Sequence, residues 1–238
     1  MHTVSGAVGR AAVLSGASTG AGEACELRDA HAPRYHGRGV VGAVGHVRGD
    51  IREALVSRAF RDQAELDEEL IALDGTPGKS RLGANAIVGV SMAAARAFAA
   101  EDGEPLWRSL TAHPQGTVLP VPHFNVVNGG AHAAGALEFQ EFMIAPLGAQ
   151  CEREAVHAGA EVYRALRARL RADGHAIGLG DEGGFAPGLD KVEQVLDLLV
   201  VSIEDAGYTP AATGSPWLWT RWPTASSATA PTTWAVPR

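Results

Sequence analysis

The strongest constraint on this sequence is an alternation of strand-like and helical patterns between residues 118 and 206. Two runs rich in β-branched and aromatic residues, 118–130 and 139–146, come before two segments with helical spacing of apolar residues, 152–172 and 189–206. Alternation of this kind is typical of an α/β unit, in which helices cover a sheet. We therefore expect this part of the chain to form an α/β unit.

The segment 152–172 is expected to bury one helical face, because its apolar residues recur every three or four positions. That face comprises Val156, Gly159, Val162, Tyr163, Leu166 and Leu170. Upstream, 50–73 and 84–100 also have helical patterns, and the second is Ala-rich and apolar around nearly its whole circumference. The segment 101–117, which contains glycines and prolines, is the predicted linker between two domains.

Composition and charge exclude several classes of protein. Hydrophobic residues make up 46% of the 238 residues and charged residues 20%, which excludes a wholly disordered or fibrous chain. A net charge of −7 argues against a nucleic-acid binder held by bulk electrostatics. No apolar run reaches the roughly 18 residues of a membrane span, the N-terminus lacks a secretory signal, and two distant cysteines form no disulfide framework. We therefore expect a cytoplasmic protein whose partners are neither nucleic acids nor membranes.

A Gly- and Ser-rich segment, SGASTGAG at 15–22, allows two interpretations. A glycine backbone can approach a phosphate closely, and its outward-pointing N–H groups can bind the anion. The segment is not a P-loop, since no Gly-Lys-Ser/Thr follows. By itself it is more typical of a mobile surface loop than of a ligand-binding loop, and both interpretations stay open.

The segment 128–142 carries polar side chains next to apolar ones. His132 lies in a predicted loop, whereas Gln140 and Glu141 lie in the second strand-like run. On a strand, Gln140 shares a face with Phe142 and Glu141 points to the other face. A charged side chain in an apolar run needs a partner if it is buried, although a solvated edge strand is the more frequent explanation of such a pattern.

The segment GDEGGFAP at 180–187 places two acidic residues before two glycines at a predicted strand end. A tight acidic turn is the more frequent explanation, and a loop at the mouth of a barrel, where active sites lie, is the other. The second explanation predicts that Glu182 meets Glu141. Two adjacent carboxylates cannot both ionise freely, so the pKa of one rises and that group can hold a proton at neutral pH.

Taken in this order, these segments resemble the enolases (phosphopyruvate hydratases). The similar stretches are 9–20, 73–99, 119–133, 140–146 and 180–187. The resemblance spans roughly residues 6–210, with Leu14 and Gly78 among its small departures. It implies a fold class of an α+β N-terminal domain (1–113) followed by an incomplete α/β (TIM-like) barrel of the enolase type (118–210).

The resemblance implies the Mg²⁺-dependent dehydration of 2-phosphoglycerate to phosphoenolpyruvate, a reaction in which cations stabilise an enolate-like intermediate. It makes Glu182 the proton donor to the leaving hydroxyl and Glu141 its carboxylate partner. It also makes His132, Gln140 and Glu141 substrate-contacting residues. Because members of the family are commonly dimers, a homodimer is expected.

The resemblance further makes Ser18 a ligand of the second Mg²⁺, and it gives Asp181 the lesser task of orienting its turn. Other parts of the family's site have no counterpart here. No Lys follows Lys191 and no Asp or Glu follows Asp205, so the first-Mg²⁺ carboxylates, the base lysine and the phosphate-binding residues are missing. The family's first strand, upstream of Gly6, is missing as well. We therefore expect a chain that is truncated relative to the family and catalytically inactive.

The tail at 211–238 has a different composition from the rest of the chain. It holds four of the five tryptophans and no acidic residue, and it shows neither a helical nor a strand period. When 211–226 is written in GC-rich codons and read from the third base of the first codon, it can give GDGVALALDAVADS. That string is similar to the next strand of the family. We therefore hypothesise a one-base frame shift near residues 210–211, which leaves a tail that is not native to the fold.

Two other functions stay open at this point. One is a non-catalytic, enolase-like remnant that acts as a binding or oligomer-forming protein. The other, with less support, is an unrelated protein that binds phosphate through the Gly-rich loop.

Overall fold

A computed structural model describes residues 1–16, 20–111, 118–132 and 137–210. The predictions for Ser18, for the end of the linker and for the tail concern positions outside the described residues. The described residues divide into two compact units. Unit 1 is the described part of Met1–Ser15 and Gly22–Thr117, and unit 2 is the described part of Gly16–Ala21 and Val118–Arg238.

Unit 1 is mainly helical. Its α-helices are α1 (Val41–His46), α2 (Arg52–Leu55), α3 (Gln63–Asp74), α4 (Ala84–Glu101) and α5 (Leu106–Ser109), with a π-helical turn at Val47–Ile51 and a 3₁₀ turn at Arg34–Gly37. An isolated antiparallel bridge joins His2 to Val8. The buried core of this unit comprises Ala43, Ile51, Leu66, Leu70, Leu82, Ala86, Ile87 and Ala94.

The helical pattern at 50–73 is found in α2 and α3, but the segment is not one continuous helix, because the chain breaks between them. Val56 is extended (φ −66°, ψ 137°) and Ser57 has a φ of 66°, which helical backbone does not permit. A new helix then starts after Asp62, whose carboxylate accepts the Glu65 N–H at 2.9 Å. The seven residues between α2 and α3 are too few to disturb the apolar spacing, so the periodicity of the sequence does not reveal the break.

The helix predicted at 84–100 is confirmed as α4. Its alanines allow close packing, and Ala94 and Ala97 are fully buried. It is not buried on every side, however, since Val88 is 43% exposed. The loop before α4 is held by Asp74, whose buried carboxylate accepts N–H groups from Thr76 at 3.0 Å and Leu82 at 2.8 Å. Burial opposes ionisation there, but the hydrogen bond from the Thr76 hydroxyl, together with these two N–H groups, holds the pKa of Asp74 below its ordinary value.

Unit 2 contains a small antiparallel sheet of β1 (Phe124–Asn128) and β2 (Glu141–Ile144). Both strands lie inside the predicted strand-like runs, which confirms that prediction. Beyond β1, Phe185 occupies a third strand position, parallel to Val127. Its N–H donates to the Val126 carbonyl at 2.9 Å, and its carbonyl accepts the Asn128 N–H at 2.9 Å. β1 therefore has neighbours on both edges, and one of them is the segment that carries Glu182.

Two long helices follow the sheet, α6 (Glu152–Ala172) and α7 (Val192–Asp205), as the apolar spacing predicts. The core between them and the sheet comprises Val126, Val127, Leu137, Phe142, Ile144, Val162, Leu166, Leu170, Phe185, Leu189, Val195, Leu198, Leu199 and Ile203. The burial predicted for one residue of the α6 face is wrong, since Val156 is 47% exposed. Ala155 and Ala158 are buried as well, on the same face as Gly159, Val162, Leu166 and Leu170, which are buried as predicted.

The α/β character predicted for residues 118–206 is confirmed in unit 2 by strands that precede amphipathic helices. Its two-stranded sheet, with a third chain segment beside β1, fits the opening of a barrel rather than a closed one. Within the described ranges, no helix has both the length and the apolar character that a membrane crossing requires.

Candidate active site

Three side chains from separate segments of unit 2 converge at one end of the sheet. His132 ends a 3₁₀ turn at Gly130–His132, Glu141 opens β2, and Glu182 lies in the turn before Phe185. One nitrogen or oxygen atom from each residue lies within 4.8 Å of the others. The structure thus brings together Glu141 and Glu182, the two carboxylates that the sequence pairs across 40 intervening residues.

Strand pairing explains why His132 and Glu141 meet. Asn128 pairs with Glu141 across the sheet, so the end of β1 lies beside the start of β2. The chain then turns at Gly129 and Gly130, whose N–H groups donate to the carbonyls of Gln140 at 2.8 Å and Leu137 at 3.0 Å. A Cβ on Gly129 would lie 2.3 Å from the Phe139 carbonyl oxygen, so only glycine allows this approach.

The turn that carries Glu182 is closed by its own backbone. The Gly180 N–H donates to the Gly184 carbonyl at 2.8 Å, and Gly183 has a φ of 83°. Gly180 and Gly184 also pack against the side chain of Asn128, because a Cβ on either would lie less than 3.0 Å from its Oδ1. The glycines of this motif therefore serve close packing, which places Glu182 at the end of β1.

Burial and proximity act together on the carboxyl pair. The pKa of Glu141 is raised, first by burial, then by its hydrogen bond to Glu182 and by the negative charge of Glu182. The nearby His132 offsets part of this effect. The Glu182 side chain is 39% exposed, so it is the more accessible of two groups that share a hydrogen bond. Such a pair can retain a proton at a pH where isolated carboxyl groups have lost theirs.

His132 lies on the inner side of this pair and is only 3% exposed. Its Nε2 is 3.5 Å from Glu182 Oε1 and also contacts the side-chain amide of Gln140. Its Nδ1 is buried without a hydrogen-bond partner among the residues that the structure describes. The His132 carbonyl accepts the Asp181 N–H at 3.3 Å, so the turn is attached to this loop through the backbone of Asp181.

The predicted orientation of Gln140 is wrong. The sequence places Gln140 and Glu141 on opposite faces of one strand, but β2 begins only at Glu141. Gln140 lies in the bend before the strand, where two-residue alternation does not apply, and its amide reaches the same imidazole that Glu141 approaches. Phe142 is fully buried, as expected of the residue that follows Glu141 on the opposite face.

Sequence reasoning did not identify two asparagines that belong to this site. Asn125 Nδ2 donates to Glu182 Oε2 at 2.9 Å, and Asn128 Nδ2 donates to Asn125 Oδ1 at 3.1 Å. Asn128 is 1% exposed. The signal that could have found them is the pattern Phe-Asn-Val-Val-Asn, since an amide within a buried strand requires partners.

The cluster offers two carboxylates and one imidazole as ligands for a metal ion. Glu141 and Glu182 supply carboxylate oxygens, the ligands that Mg²⁺ prefers, whereas the imidazole of His132 is more typical of transition-metal sites. The two carboxylates therefore fit a divalent cation in part, together with oxygen ligands from elsewhere. Ser18, the Mg²⁺ ligand that the resemblance implies, lies outside the described residues.

Comparison with known protein families decides what the two units are. A family model described as the enolase N-terminal domain matches residues 1–110. A second, described as the enolase C-terminal TIM barrel domain, matches residues 116–214. This chain belongs to the enolase family.

Membership in the enolase family confirms the predicted fold class of an N-terminal domain followed by part of a TIM-like barrel. The small sheet of unit 2 and the strand position of Phe185 lie inside the segment that matches this barrel domain. The cluster of His132, Glu141 and Glu182 lies inside the segment that matches the enolase barrel. The roles predicted for the individual residues of this cluster stay predictions.

Proposed function

We propose that this site serves the Mg²⁺-dependent dehydration of 2-phosphoglycerate to phosphoenolpyruvate, an enolase-type hydro-lyase reaction. The observation that carries the proposal is the contact between Glu141 and Glu182 beside a buried histidine. Loss of hydroxide from a substrate requires an acid that still holds a proton near neutral pH. A hydrogen-bonded carboxyl pair in a partly buried position supplies one.

The two carboxyl groups have different tasks in this proposal. Glu182 donates the proton to the leaving hydroxyl, because its side chain is 39% exposed and can reach a bound substrate. Glu141 is half-buried, and its raised pKa favours retention of the proton that the two groups share, which reaches the substrate through Glu182. His132 and Gln140 contact the substrate from the inner wall, where the amide of Gln140 fixes the imidazole. These assignments rest on the matching motifs together with the contacts described above.

Mg²⁺ would be held by Ser18 and by oxygen atoms of the substrate. When bound, the cation supplies positive charge that stabilises the enolate-like intermediate. The chain itself contributes the acid side of the reaction. The resemblance implies that a lysine acts as the base. Lys79 does not supply this base, because its Nζ donates to the backbone carbonyls of Thr76 at 3.2 Å and Pro77 at 3.3 Å.

Calorimetric titration with 2-phosphoglycerate, with and without Mg²⁺, tests this function. We expect binding that requires Mg²⁺ and is lost in Glu182→Gln, because the variant removes the carboxyl group that would contact the hydroxyl of the substrate. Glu193→Gln is the matched control, since Glu193 is an exposed carboxylate in the first turn of α7, outside the cluster. Equal binding by the wild type and by Glu182→Gln would contradict the proposal.

A second candidate is a non-catalytic member of the family that binds substrate or forms homodimers. It is favoured by the scarcity of lysine, since the sequence contains only Lys79 and Lys191. In this second candidate, the chain binds 2-phosphoglycerate without turning it over. An assay of phosphoenolpyruvate formation would show no rate above background, and light scattering would show a dimer. Turnover that EDTA abolishes would exclude the non-catalytic candidate.

A further inference from the structure

A continuous path of amide hydrogen bonds connects the backbone of the Glu182 turn to the carboxylate of Glu182 itself. The Gly184 N–H donates to Asn128 Oδ1 at 3.0 Å. Asn128 Nδ2 donates to Asn125 Oδ1 at 3.1 Å, and Asn125 Nδ2 donates to Glu182 Oε2 at 2.9 Å. The path leaves the turn at Gly184, crosses two positions of β1 and returns to the turn at Glu182.

The direction of each amide in this path is determined by its neighbours. A backbone N–H can only donate, so the oxygen of Asn128 must face Gly184 and its NH₂ must face Asn125. The oxygen of Asn125 then accepts that NH₂, which leaves the NH₂ of Asn125 pointing at Glu182. A flipped Asn128 would leave a donor against a donor in a site that is 1% exposed, which is costly.

We infer that Asn125 is a positioning residue, which occupies Oε2 of Glu182 and so confines any proton on that carboxyl to Oε1. The NH₂ of Asn125 cannot accept a proton, and the Oε2 atom that it faces is therefore a poor site for one. Oε1 is the oxygen that lies 3.5 Å from His132 Nε2. Asn125 thus selects the oxygen from which Glu182 gives up its proton. Its importance for catalysis rests on the function proposed above, whereas the hydrogen bond itself does not.

The packing around Asn128 shows how the path is held in place. Gly180 and Gly184 approach its side chain so closely that a Cβ on either would lie 2.6 Å and 2.9 Å from Oδ1, respectively. Asn128 therefore has one available position, and it holds the oxygen of Asn125 from the buried side. Asn125 has only its NH₂ left for the partly exposed side, where Glu182 lies.

Side-chain amide spectra of the full chain test the inference without any need for turnover. In the wild type, the Nδ2 hydrogens of Asn125 should be protected from solvent exchange. In Glu182→Ala they should exchange about tenfold faster, since a charge-assisted hydrogen bond is lost, and their resonances should move. Glu182 is exposed, so this substitution should leave the fold intact. Unchanged exchange and unchanged shifts of Asn125 would overturn the inference.

Asn85 provides an internal control of the same chemistry in unit 1. Its Nδ2 donates to the Leu27 carbonyl at 3.1 Å and its Oδ1 accepts the Leu27 N–H at 3.1 Å, with no carboxylate involved. Its amide signals should be the same in the wild type and in Glu182→Ala. If Asn85 changed as much as Asn125, the response would be global rather than local, and the inference would fail.

Two substitutions at Asn125 separate positioning from packing. Asn125→Asp keeps the shape and can still accept from Asn128, but it faces Oε2 of Glu182 with a negative charge instead of a donor. Positioning predicts that Asn125→Asp weakens Mg²⁺-dependent 2-phosphoglycerate binding at least as much as Asn125→Ala, and about tenfold relative to the wild type. A packing role predicts that Asn125→Asp behaves like the wild type, and this result would overturn the inference.

The two proposals can fail separately. If the wild type binds no 2-phosphoglycerate but its Asn125 amide responds to Glu182→Ala, the proposed function fails and the positioning contact stands. If binding is lost in Glu182→Gln while the exchange and shifts of the Asn125 amide are unchanged in Glu182→Ala, the function stands and the positioning role fails.

Discussion

Glu141 lies at the first position of β2, where its carboxyl group is half-buried and faces a second carboxyl group. Burial is the largest cause of its raised pKa, and the hydrogen bond and charge of Glu182 add to it. The folded protein therefore binds a proton that the unfolded chain has already released. Consequently, this residue lowers the free energy of unfolding as the pH rises from the ordinary value of 4.5 through the raised value.

Glu141→Gln should remove this pH dependence. Glutamine resembles the protonated acid, so the variant and the wild type should have similar stability below pH 4.5. At a pH above the raised pKa the variant should be the more stable, because the wild type must then hold a charge in a half-buried position. Urea denaturation at the two pH values measures the difference, with Glu193→Gln as the exposed control. A stability difference that is the same at both pH values would contradict this expectation.

At the scale of elements, the long helices of unit 2 determine where the sheet and its site lie. Leu166 and Leu170 of α6 are fully buried in the core that also holds Val127 and Phe142 of the two strands. Tyr163, also on α6, stacks on Phe185 with ring centroids 4.5 Å apart, and its hydroxyl donates to the Gly183 carbonyl at 2.8 Å. The turn that carries Glu182 is therefore supported by α6 as well as by β1.

Leu166→Ala should destabilise unit 2 by about 2–5 kcal/mol, since it leaves a cavity in a fully buried position. Val156→Ala on the same helix should cost about 0.5 kcal/mol or less, because Val156 is 47% exposed. Chemical denaturation of both variants measures the difference. Similar losses for the two would mean that α6 buries the face predicted from sequence, which includes Val156, rather than the observed one.

At the scale of the whole molecule, the sequence predicts those features that depend on local periodicity or on long motifs. α4, α6 and α7 are found close to their predicted bounds, because each has a sustained helical pattern. The motifs also identify Glu141 and Glu182, which the structure brings within reach of each other. The break between α2 and α3 was not predicted, since it is made by the backbone of Val56 and Ser57, and neither residue type signals a break in the sequence.

The orientation of Gln140 and the roles of Asn125 and Asn128 could not be predicted for a different reason. Each depends on tertiary neighbours that are distant in sequence. Gln140 contacts His132 because β2 begins one residue later than the strand-like run indicates. Asn125 and Asn128 belong to the site only because the turn at 180–184 packs against β1 and bonds to their side chains.

The hypothesis of a frame shift before the tail at 211–238 can be tested on the nucleotide sequence of the gene. A one-base shift near residues 210–211 predicts that the shifted frame encodes a strand similar to Val-Ala-Leu-Ala-Leu-Asp in place of the Trp-rich sequence. Nucleotide sequencing of this region decides the matter. Codons for Trp217, Trp219 and Trp222 that cannot be read in this way would contradict the hypothesis.

The central claim is that Glu141 and Glu182 form one coupled pair. Carbon-13 NMR titration of the glutamate side-chain carboxyl groups tests it most directly, in the wild type and in Glu182→Gln. We expect the pKa of Glu141 to lie above its ordinary value in the wild type and to fall toward that value in the variant, where the charge of Glu182 is gone and burial alone remains. A Glu141 pKa that is the same in both proteins would contradict the claim.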